Sequence, residues 1–158
     1  MKAIVFSDSH GKMDAMIDII AKNNDIDKII HLGDLVRDAE MLQNEYPNYE
    51  MIYVAGNNDW SSNEPKECLA ELEGKRFFIT HGNSYGVKNG ISKIIQRAKQ
   101  LEAEVVLFGH THIPYECYVD NILLLNPGSI TLPACGSRRS YCIIDLTPKG
   151  IKTNFLQL

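Results

Sequence analysis

The sequence has few of the features that mark a zinc ribbon, a membrane span or a nucleic-acid surface. It contains four cysteines, and no two of them form a Cys-x-x-Cys pair that would suggest a thiolate zinc site. No apolar run approaches the roughly 20 residues of a membrane-spanning helix. The net charge is −4, so no overall positive field attracts nucleic acid. We therefore expect reduced cysteines, no membrane association and no specific nucleic-acid partner.

The first residues also do not show the pattern of a secretory signal. The apolar stretch at residues 3–6 is short and gives way at once to Ser7 and Asp8, without a cleavage-site pattern. A cytoplasmic location is the resulting expectation. With 158 residues, of which 44% are hydrophobic, the chain predicts one globular domain over residues 1–158, while a homo-oligomer is left open.

The first part of the chain alternates between short apolar strands and amphipathic helices. Strands are predicted at residues 2–7, 28–32 and 51–55. Apolar residues recur at helical spacing between them, first at Met13, Met16, Ile17 and Ile20 and then at Leu35, Ala39, Leu42 and Tyr46. Strands that alternate with helices indicate a parallel sheet with right-handed crossovers.

The rest of the chain predicts a hairpin, a third helix and a group of short strands. The hairpin joins residues 67–72 to 76–80, the helix carries apolar residues from Val87 to Leu101, and a strand follows at 105–108. Strands at 115–119, 122–125, 141–146 and 151–156, with turns at Asp120-Asn121 and at residues 147–150, indicate an antiparallel half. The predicted fold is an α/β/β/α sandwich of two mixed sheets flanked by helices.

Metal-ligand residues follow five of the predicted strands. The most compact group is Gly109-His110-Thr111-His112, and the whole set is Asp8, His10, Asp34, Asn57, His81, His110 and His112. Ligands in open α/β sheets bind beyond the carboxyl ends of the strands, so these side chains are expected to meet. Seven ligands suit two divalent ions that share one carboxylate. Mixed nitrogen and oxygen donors favour manganese, iron, cobalt, nickel or zinc over calcium.

Such a centre would be a local source of positive charge in an acidic protein. Two divalent ions carry about +4, and two carboxylates with a bridging hydroxide remove about 3, which leaves roughly +1. Paired ions can attract a phosphate ester, provide hydroxide near neutral pH and stabilise an in-line displacement.

The ordered motifs resemble those of the calcineurin-like metallophosphoesterases, in particular the small YfcE-like phosphodiesterase branch. The matching blocks are Asp8-Ser9-His10, Gly33-Asp34, Gly56-Asn57, His81-Gly82 and Gly109-His110-Thr111-His112, with Asn126-Pro127-Gly128-Ser129 near the end. The resemblance implies hydrolysis of a small-molecule phosphate ester, a diester in this branch, by a hydroxide that bridges two divalent metal ions. Manganese is the first choice of metal, with nickel, cobalt, iron and zinc as alternatives.

The resemblance also implies a role for each ligand. Asp8, His10, Asp34 and His112 would hold one ion, and Asp34, Asn57, His81 and His110 would hold the other, with Asp34 bridging. Asp34, Asn57, His81 and the neighbouring Asn58 are the candidate catalytic residues.

Asn58 is a departure from the family pattern. Many members carry a histidine there, which is thought to protonate the leaving group. An amide can donate a hydrogen bond but is not a useful general acid at neutral pH. This substitution predicts substrates whose leaving group is already stable, such as aryl or nucleotide-type diesters.

Two other functions stay open at this stage. One is a phosphomonoesterase or protein phosphatase, which the missing acid histidine disfavours. The other is a non-catalytic scaffold on the same fold, which resembles a retromer subunit and would be expected to have lost metal ligands.

The roles of several further residues allow two interpretations. His31 is interpreted as a buried, hydrogen-bonded residue, and Asp59 either orients a ligand or belongs to a turn. Arg138 and Arg139 could contact a phosphate or lie in a solvated loop. The aromatic residues Trp60, Tyr85 and Tyr115 either wall a substrate pocket or only pack.

Overall fold

A computed structural model describes residues 1–147 and 149–158, which form ten strands and three α-helices. The first sheet and its helices comprise β1 (Lys2–Phe6), α1 (Asp14–Lys22), β2 (Lys28–His31), α2 (Val36–Glu45), β3 (Glu50–Tyr53), β9 (Ser140–Thr147) and β10 (Gly150–Gln157). The second sheet and its helix comprise β4 (Glu67–Leu72), β5 (Lys75–Thr80), α3 (Ser92–Gln100), β6 (Val105–Leu107), β7 (Pro114–Val119) and β8 (Ile122–Pro127).

Each sheet has five strands and mixes parallel with antiparallel pairing. The first sheet has the order β10-β9-β1-β2-β3, in which β1, β2 and β3 run parallel and β9 and β10 are antiparallel neighbours. The second sheet has the order β4-β5-β6-β8-β7, with β5, β6 and β8 parallel. Both mixed sheets agree with the predicted fold class.

The predicted antiparallel pairing is confirmed for β7 with β8 and for β9 with β10, but β8 also pairs in parallel with β6, which the prediction missed. All six residues of β8 are buried, and the run Ile-Leu-Leu-Leu does not alternate with polar residues. A continuous apolar run is typical of a parallel strand covered on both faces, so the composition of β8 carried this signal.

The core has three layers of apolar contacts, as expected for two sheets covered by helices. One cluster lies between the sheets and joins residues such as Val5, Ile79 and Leu125. A second cluster packs α1 and α2 against the other face of the first sheet, through Met16 and Leu42. A third packs α3 against the second sheet. This arrangement is the predicted α/β/β/α sandwich.

The third helix begins later than predicted. Val87 belongs to a separate 3₁₀ turn, Val87–Asn89, and Gly90 adopts a φ of 136°, which is incompatible with a continuous α-helix. The α-helix itself starts at Ser92, but Val87, Ile94 and Ala98 still share one buried cluster, so the apolar pattern marked the face correctly.

Two turns are predicted to connect the late strands, and the structure fully describes one of them. Asp120 and Asn121 both have positive φ and connect β7 to β8 as predicted. The other predicted turn, at residues 147–150, includes Pro148, which lies outside the described residues.

All four cysteines are free thiols in the part of the chain that the structure describes. In the same residues, no helix has both the length and the apolar character needed to cross a membrane.

Replacement of a residue between the sheets tests this packing. Leu125 is fully buried in the central cluster, so Leu125→Ala should lower the free energy of unfolding by about 2–5 kcal/mol because it leaves a cavity. Leu69→Ala is the matched control, since Leu69 is 49% exposed and its truncation should cost about 1 kcal/mol or less. Urea unfolding of both variants measures the difference, and equal losses would contradict the layer assignment.

Candidate metal centre

The predicted ligands gather where strands of both sheets end. Asp8 follows β1, Asp34 follows β2, His81 follows β5, and His110 and His112 follow β6. Backbone hydrogen bonds connect these segments within each sheet. The Asp8 amide donates to the Gly33 carbonyl at 3.1 Å, and the Gly109 amide donates to the His81 backbone carbonyl at 3.0 Å. The ends of the parallel strands therefore bring residues distant in sequence to one place.

Asp8 lies in the middle of the cluster. Its Oδ1 is 3.0 Å from His112 Nε2, 3.9 Å from His81 Nε2 and 4.0 Å from His10 Nε2. The Nε2 atoms of His10 and His112 are 3.5 Å apart. Asp8, His10 and His112 thus present ligand atoms within 4.8 Å of one another, which is close enough to hold one cation.

Asp34 and His81 extend the cluster on the other side of Asp8. His81 Nε2 lies 3.5 Å from Asp34 Oδ2, and Asp8, Asp34 and His81 form a second group that could hold a cation. The His110 ring lies beside His81, with ring centroids 5.1 Å apart. The two groups share Asp8, whereas the resemblance implies sharing of Asp34, so the predicted bridging role of Asp34 stays a prediction.

Asn57 and Asn58 lie in the turn after β3 and differ in their contacts. Asn58 binds Asp34 twice, through its backbone amide at 2.9 Å from Oδ1 and its side-chain amide at 2.7 Å from Oδ2. Asn57 is exposed and makes no side-chain hydrogen bond within the described residues, so its ligand role stays a prediction. Asn58 orients a carboxylate in this geometry, a role that the sequence did not reveal.

Two buried polar atoms in the cluster have no hydrogen-bond partner among the described residues. They are Asp8 Oδ1 and His81 Nε2, and both side chains are fully buried. Buried polar groups nearly always have partners, because an unsatisfied one loses its hydration without compensation. A carboxylate oxygen and an imidazole nitrogen that face each other at 3.9 Å are the donor set that a divalent cation takes.

Backbone carbonyls orient two of the imidazole rings. His81 Nδ1 lies 2.7 Å from the Leu32 carbonyl, and His112 Nδ1 lies 2.5 Å from the Leu132 carbonyl. Because a carbonyl only accepts, Nδ1 carries the proton in each ring, and the lone pair of Nε2 faces Asp8. This is the usual second hydrogen bond of a metal-ligating histidine.

The imidazoles lower the pKa values of the two carboxyl groups. Burial raises the pKa of Asp8, but the neighbouring His112 and His81 together with the Ser7 hydroxyl outweigh burial, so the net shift is downward. Burial also opposes ionisation of Asp34, yet His81 and the Asn58 amide lower its pKa to about 2. Both carboxylates are therefore ionised near neutral pH.

The same interactions divide the histidines into two kinds. Burial lowers the pKa of His81, but Asp34 and Asp8 outweigh it and raise the pKa above its usual value. The contact with Asp8 raises the pKa of His112, despite its partial burial. Burial and the charge of His81 lower the pKa of His110 to about 4. Protons therefore compete with a cation more strongly at His81 and His112 than at His110.

Five of the predicted ligands have left-handed backbone conformations, which non-glycine residues seldom adopt. They are Asp8 (φ 55°), His10 (48°), Asp34 (50°), His110 (66°) and His112 (59°). Each such residue costs of order 1–3 kcal/mol, and residues of this kind concentrate at functional sites. The strain turns successive side chains out of the strand direction and toward a common point.

Two glycines allow the loops to close on the carboxylates. A Cβ at Gly56 would lie 2.1 Å from Asp34 Oδ1, and one at Gly109 would lie 2.0 Å from Ser7 Oγ and 3.0 Å from Asp8 Oδ2. These separations exclude any side chain, so the glycines before Asn57 and His110 are steric requirements of the site.

The Asn126–Ser129 loop supports the cluster from below, in agreement with its predicted role in shaping the site. The Asn126 side-chain amide donates to the Gly109 carbonyl at 2.8 Å and to Thr111 Oγ1 at 3.0 Å. The hydroxyls of Ser129 and Thr131 both donate to the Asp8 carbonyl at 2.9 Å. The loop therefore holds the backbones that carry Asp8, His110 and His112.

The Asp59 carboxylate binds backbone amides around Asp34, which favours the orienting interpretation over the turn interpretation. Its carboxylate accepts from the backbone amides of Gly56 at 2.7 Å, Val36 at 2.8 Å and Asp34 at 3.3 Å. Val36 is the first residue of α2, so a negative charge there also favours the helix N-terminus.

His31 is buried and hydrogen-bonded, as its sequence context indicates. Its Nδ1 accepts from the Gly33 amide at 3.3 Å, and its Nε2 lies 3.0 Å from Ser9 Oγ, which in turn donates to Asp38 at 2.5 Å. Burial lowers the pKa of His31 to about 4, so the ring is neutral at physiological pH. This network stabilises the loop between Asp8 and His10.

Two cavities lie beside the cluster, and some of the residues whose roles the sequence left open line them. Tyr115 lines one cavity, which also includes His112, whereas Arg139 borders the other, near Gly11. Tyr85 packs edge-on against Phe78, which agrees with the packing alternative. Arg138 and Trp60 are exposed, with Trp60 at 91%.

Comparison with known proteins places these features in one family. Residues 1–149 match the model of the calcineurin-like phosphoesterase superfamily domain. The probable metallophosphoesterase YsnB of Bacillus subtilis is 34% identical over 98% of this chain and 90% of its own. Phosphodiesterase YfcE of Escherichia coli K12 is 26% identical over 92% of this chain and 88% of its own.

Solved structures share the fold. A conserved uncharacterized protein of Streptococcus pneumoniae, a predicted phosphoesterase, aligns with a TM-score of 0.85 and 28% identity over 99% of this chain and 88% of its own. Vps29 of Entamoeba histolytica, in a zinc complex, aligns at 0.77 with 16% identity over 99% of both chains, which indicates a shared fold alone.

Metal affinity should increase with pH. Because the pKa values of His81 and His112 are raised, a bound cation must displace protons there, and affinity is weak below the pKa and full above it. We expect the Kd for Mn²⁺ to fall by at least about tenfold between roughly pH 5.5 and 7.5. Calorimetry in buffers of different ionisation enthalpy measures affinity and proton release together. Constant affinity without proton release would contradict the histidine ligands.

Removal of the Asp59 carboxylate should weaken metal binding without touching a ligand. Asp59→Ala leaves three backbone amides without their acceptor, and we expect about 10–100-fold weaker Mn²⁺ binding. Glu71→Ala, an exposed position on β4, is the control and should bind like the unmodified protein. Unchanged affinity in Asp59→Ala would show that Asp59 is only a turn residue.

Proposed function

This chain belongs to the calcineurin-like phosphoesterase superfamily, and we propose that it is a metal-dependent phosphodiesterase acting on small-molecule phosphate esters through two divalent cations. The observation that supports this proposal best is a pair of buried atoms, Asp8 Oδ1 and His81 Nε2, which have no hydrogen-bond partner in the described residues and lie inside a cluster of imidazoles and carboxylates. A structural cluster without a cation would leave these two atoms unsatisfied at a free-energy cost.

The ligands would divide between the two cations as the family pattern implies. Asp8, His10, Asp34 and His112 would hold one, and Asp34, Asn57, His81 and His110 the other. Divalent cations lower the pKa of water and neutralise the negative charge of a phosphate ester. Manganese is our first choice of metal, and nickel, cobalt, iron and zinc have compatible donor preferences.

The protein's own residues contribute orientation and charge. Carbonyls fix the tautomers of His81 and His112, and Asn58 holds both oxygens of Asp34. Two ionised carboxylates balance only part of the charge of two divalent cations, so the centre retains positive charge for a phosphate. Orientation before substrate arrives reduces the reorganisation needed during the reaction.

Asn58 favours substrates whose leaving group departs without being protonated. Its side-chain amide is used by Asp34, and an amide is not a useful general acid near neutral pH. Aryl and nucleotide-type diesters fit this requirement, because their leaving groups are stable anions or readily become so.

The scaffold alternative rests on the fold shared with Vps29. It accounts for the two sheets but not for the retention of ligand-competent side chains at all seven predicted positions. A scaffold role would need neither the left-handed conformations of five of these residues nor two buried atoms that find no hydrogen-bond partner in the part of the chain that the structure describes.

Chelation and metal restoration test the proposed activity. Purified protein is assayed with bis(p-nitrophenyl) phosphate before chelation, after chelation, and after addition of Mn²⁺, Ni²⁺ or Co²⁺, with metal content measured in parallel. We expect hydrolysis to disappear with the metal and to return with it. His112→Ala should lose at least about 100-fold in turnover, whereas Glu40→Ala, at an exposed site on α2, should not change. Hydrolysis that is indifferent to chelation contradicts the proposal, and a metal-free, inactive protein favours the scaffold.

A leaving-group series tests the role of Asn58. Across aryl methyl phosphodiesters of increasing phenol pKa, the rate should fall steeply because no acid protonates the departing oxygen. Asn58→His should flatten this dependence and accelerate the poorest leaving groups by about 10²-fold or more. Asn58→Ala is the matched control, since it also removes the bond to Asp34 but adds no acid, and it should keep the steep slope. A flat dependence in the unmodified protein, with chemistry as the slow step, would refute this interpretation.

A further inference from the structure

A cavity of about 650 Å³ opens directly beside the metal centre. It shares Thr111 and His112 with the ligand loop after β6, so a molecule seated there would be adjacent to a metal ligand. Volumes of about 300–1,000 Å³ are typical of sites for small organic ligands. We call it the aryl cavity.

The walls of the aryl cavity are mainly apolar. The apolar lining residues are Val87, Ile91, Phe108, Ile113, Tyr115 and Ala134. Phe108 is buried and packs edge-on against Tyr115, with ring centroids 6.2 Å apart. Tyr115 remains 37% exposed, and the buried neighbour limits how far its ring can move. A planar apolar group therefore finds an aromatic wall held in place by the core.

The charged groups around the aryl cavity also fit an organic phosphate. Among the described residues that line the cavity, Lys88 provides a positive charge and none carries a carboxylate. The cavity on the His10 side differs, since Asp14 and Asp38 border it together with its cations.

We propose that the aryl cavity binds a planar aromatic group esterified to the phosphate, so that the preferred substrates carry an aryl- or nucleobase-sized arm. This inference rests on the proposed function, because it places the phosphate at the metal centre. Because His112 lines the cavity, an arm seated there would lie next to a phosphate held at the metal centre. Burial of an aromatic arm against Tyr115 and Ile113 then contributes binding energy that a methyl arm cannot supply.

Binding of two phosphonates to the Mn²⁺-loaded protein tests the inference without relying on turnover. Phenylphosphonate and methylphosphonate offer the same anionic group and differ in the arm. We expect phenylphosphonate to bind at least about tenfold more tightly by calorimetry, because its ring fills the aryl cavity. Equal affinities would overturn the inference.

Two variants locate the preference in the cavity. Tyr115→Ala removes the aromatic wall, and Ala134→Trp places a large side chain at the cavity edge; each should reduce the phenyl preference to about threefold or less. Tyr118→Ala is the matched control, because Tyr118 lies on the same strand, is 64% exposed and does not line the cavity. Thermal unfolding checks that each variant is folded, and Tyr115→Ala suffices if Ala134→Trp is not. A preference that survives in folded Tyr115→Ala would overturn the inference.

The outcomes separate this inference from the proposed function. Hydrolysis of bis(p-nitrophenyl) phosphate without any phenyl preference would overturn the aryl cavity and leave the phosphodiesterase proposal intact. A phenyl preference that depends on Tyr115, in a protein that hydrolyses no diester, would support the cavity and overturn the proposed activity.

Discussion

The structure depends on burial of the Asp8 carboxylate at the point where the two sheets meet. Burial of a charge is costly unless partners replace its hydration. One oxygen of Asp8 has such partners, the Ser7 hydroxyl at 2.6 Å and the His110 amide at 3.1 Å. The other faces three imidazoles and has no hydrogen-bond partner among the described residues. The loops after β1, β5 and β6 therefore meet at the Asp8 carboxylate. A cation bound there would supply the partner that its second oxygen lacks among the described residues.

The surrounding structure compensates for the strain of this arrangement. Left-handed residues at five ligand positions oppose folding, but the sheets beneath them are anchored by continuous buried runs such as residues 105–107 and 122–125. Asn126, Ser129 and Thr131 then fasten the strained loops through side-chain hydrogen bonds to backbone carbonyls. A rigid scaffold with strained ends keeps the ligand atoms in position before any cation or substrate is present.

Much of the fold and most of the cluster followed from local patterns. Periodicity located the strands and helices, and the position of polar residues after strands placed Asp8, Asp34, His81, His110 and His112 in one cluster. The parallel pairing of β8 with β6 was missed, because turn spacing reveals only the antiparallel partner β7, whereas burial on both faces places β8 inside the sheet. The start of α3 was missed because Gly90 interrupts an apolar pattern that otherwise continues.

The sequence by itself determined the chemistry: which side chains can bind a metal, that position 58 carries an amide where the family resemblance implies an acid, and that strands and helices alternate. These properties belong to residue types and their spacing along the chain. Only the tertiary structure decided how these groups are used, because hydrogen bonds and cavities join residues far apart in sequence. It joined Asp59 to the Gly56 amide and Asn58 to the Asp34 carboxylate, left Asp8 Oδ1 and His81 Nε2 without hydrogen-bond partners among the described residues, and placed an apolar cavity beside His112.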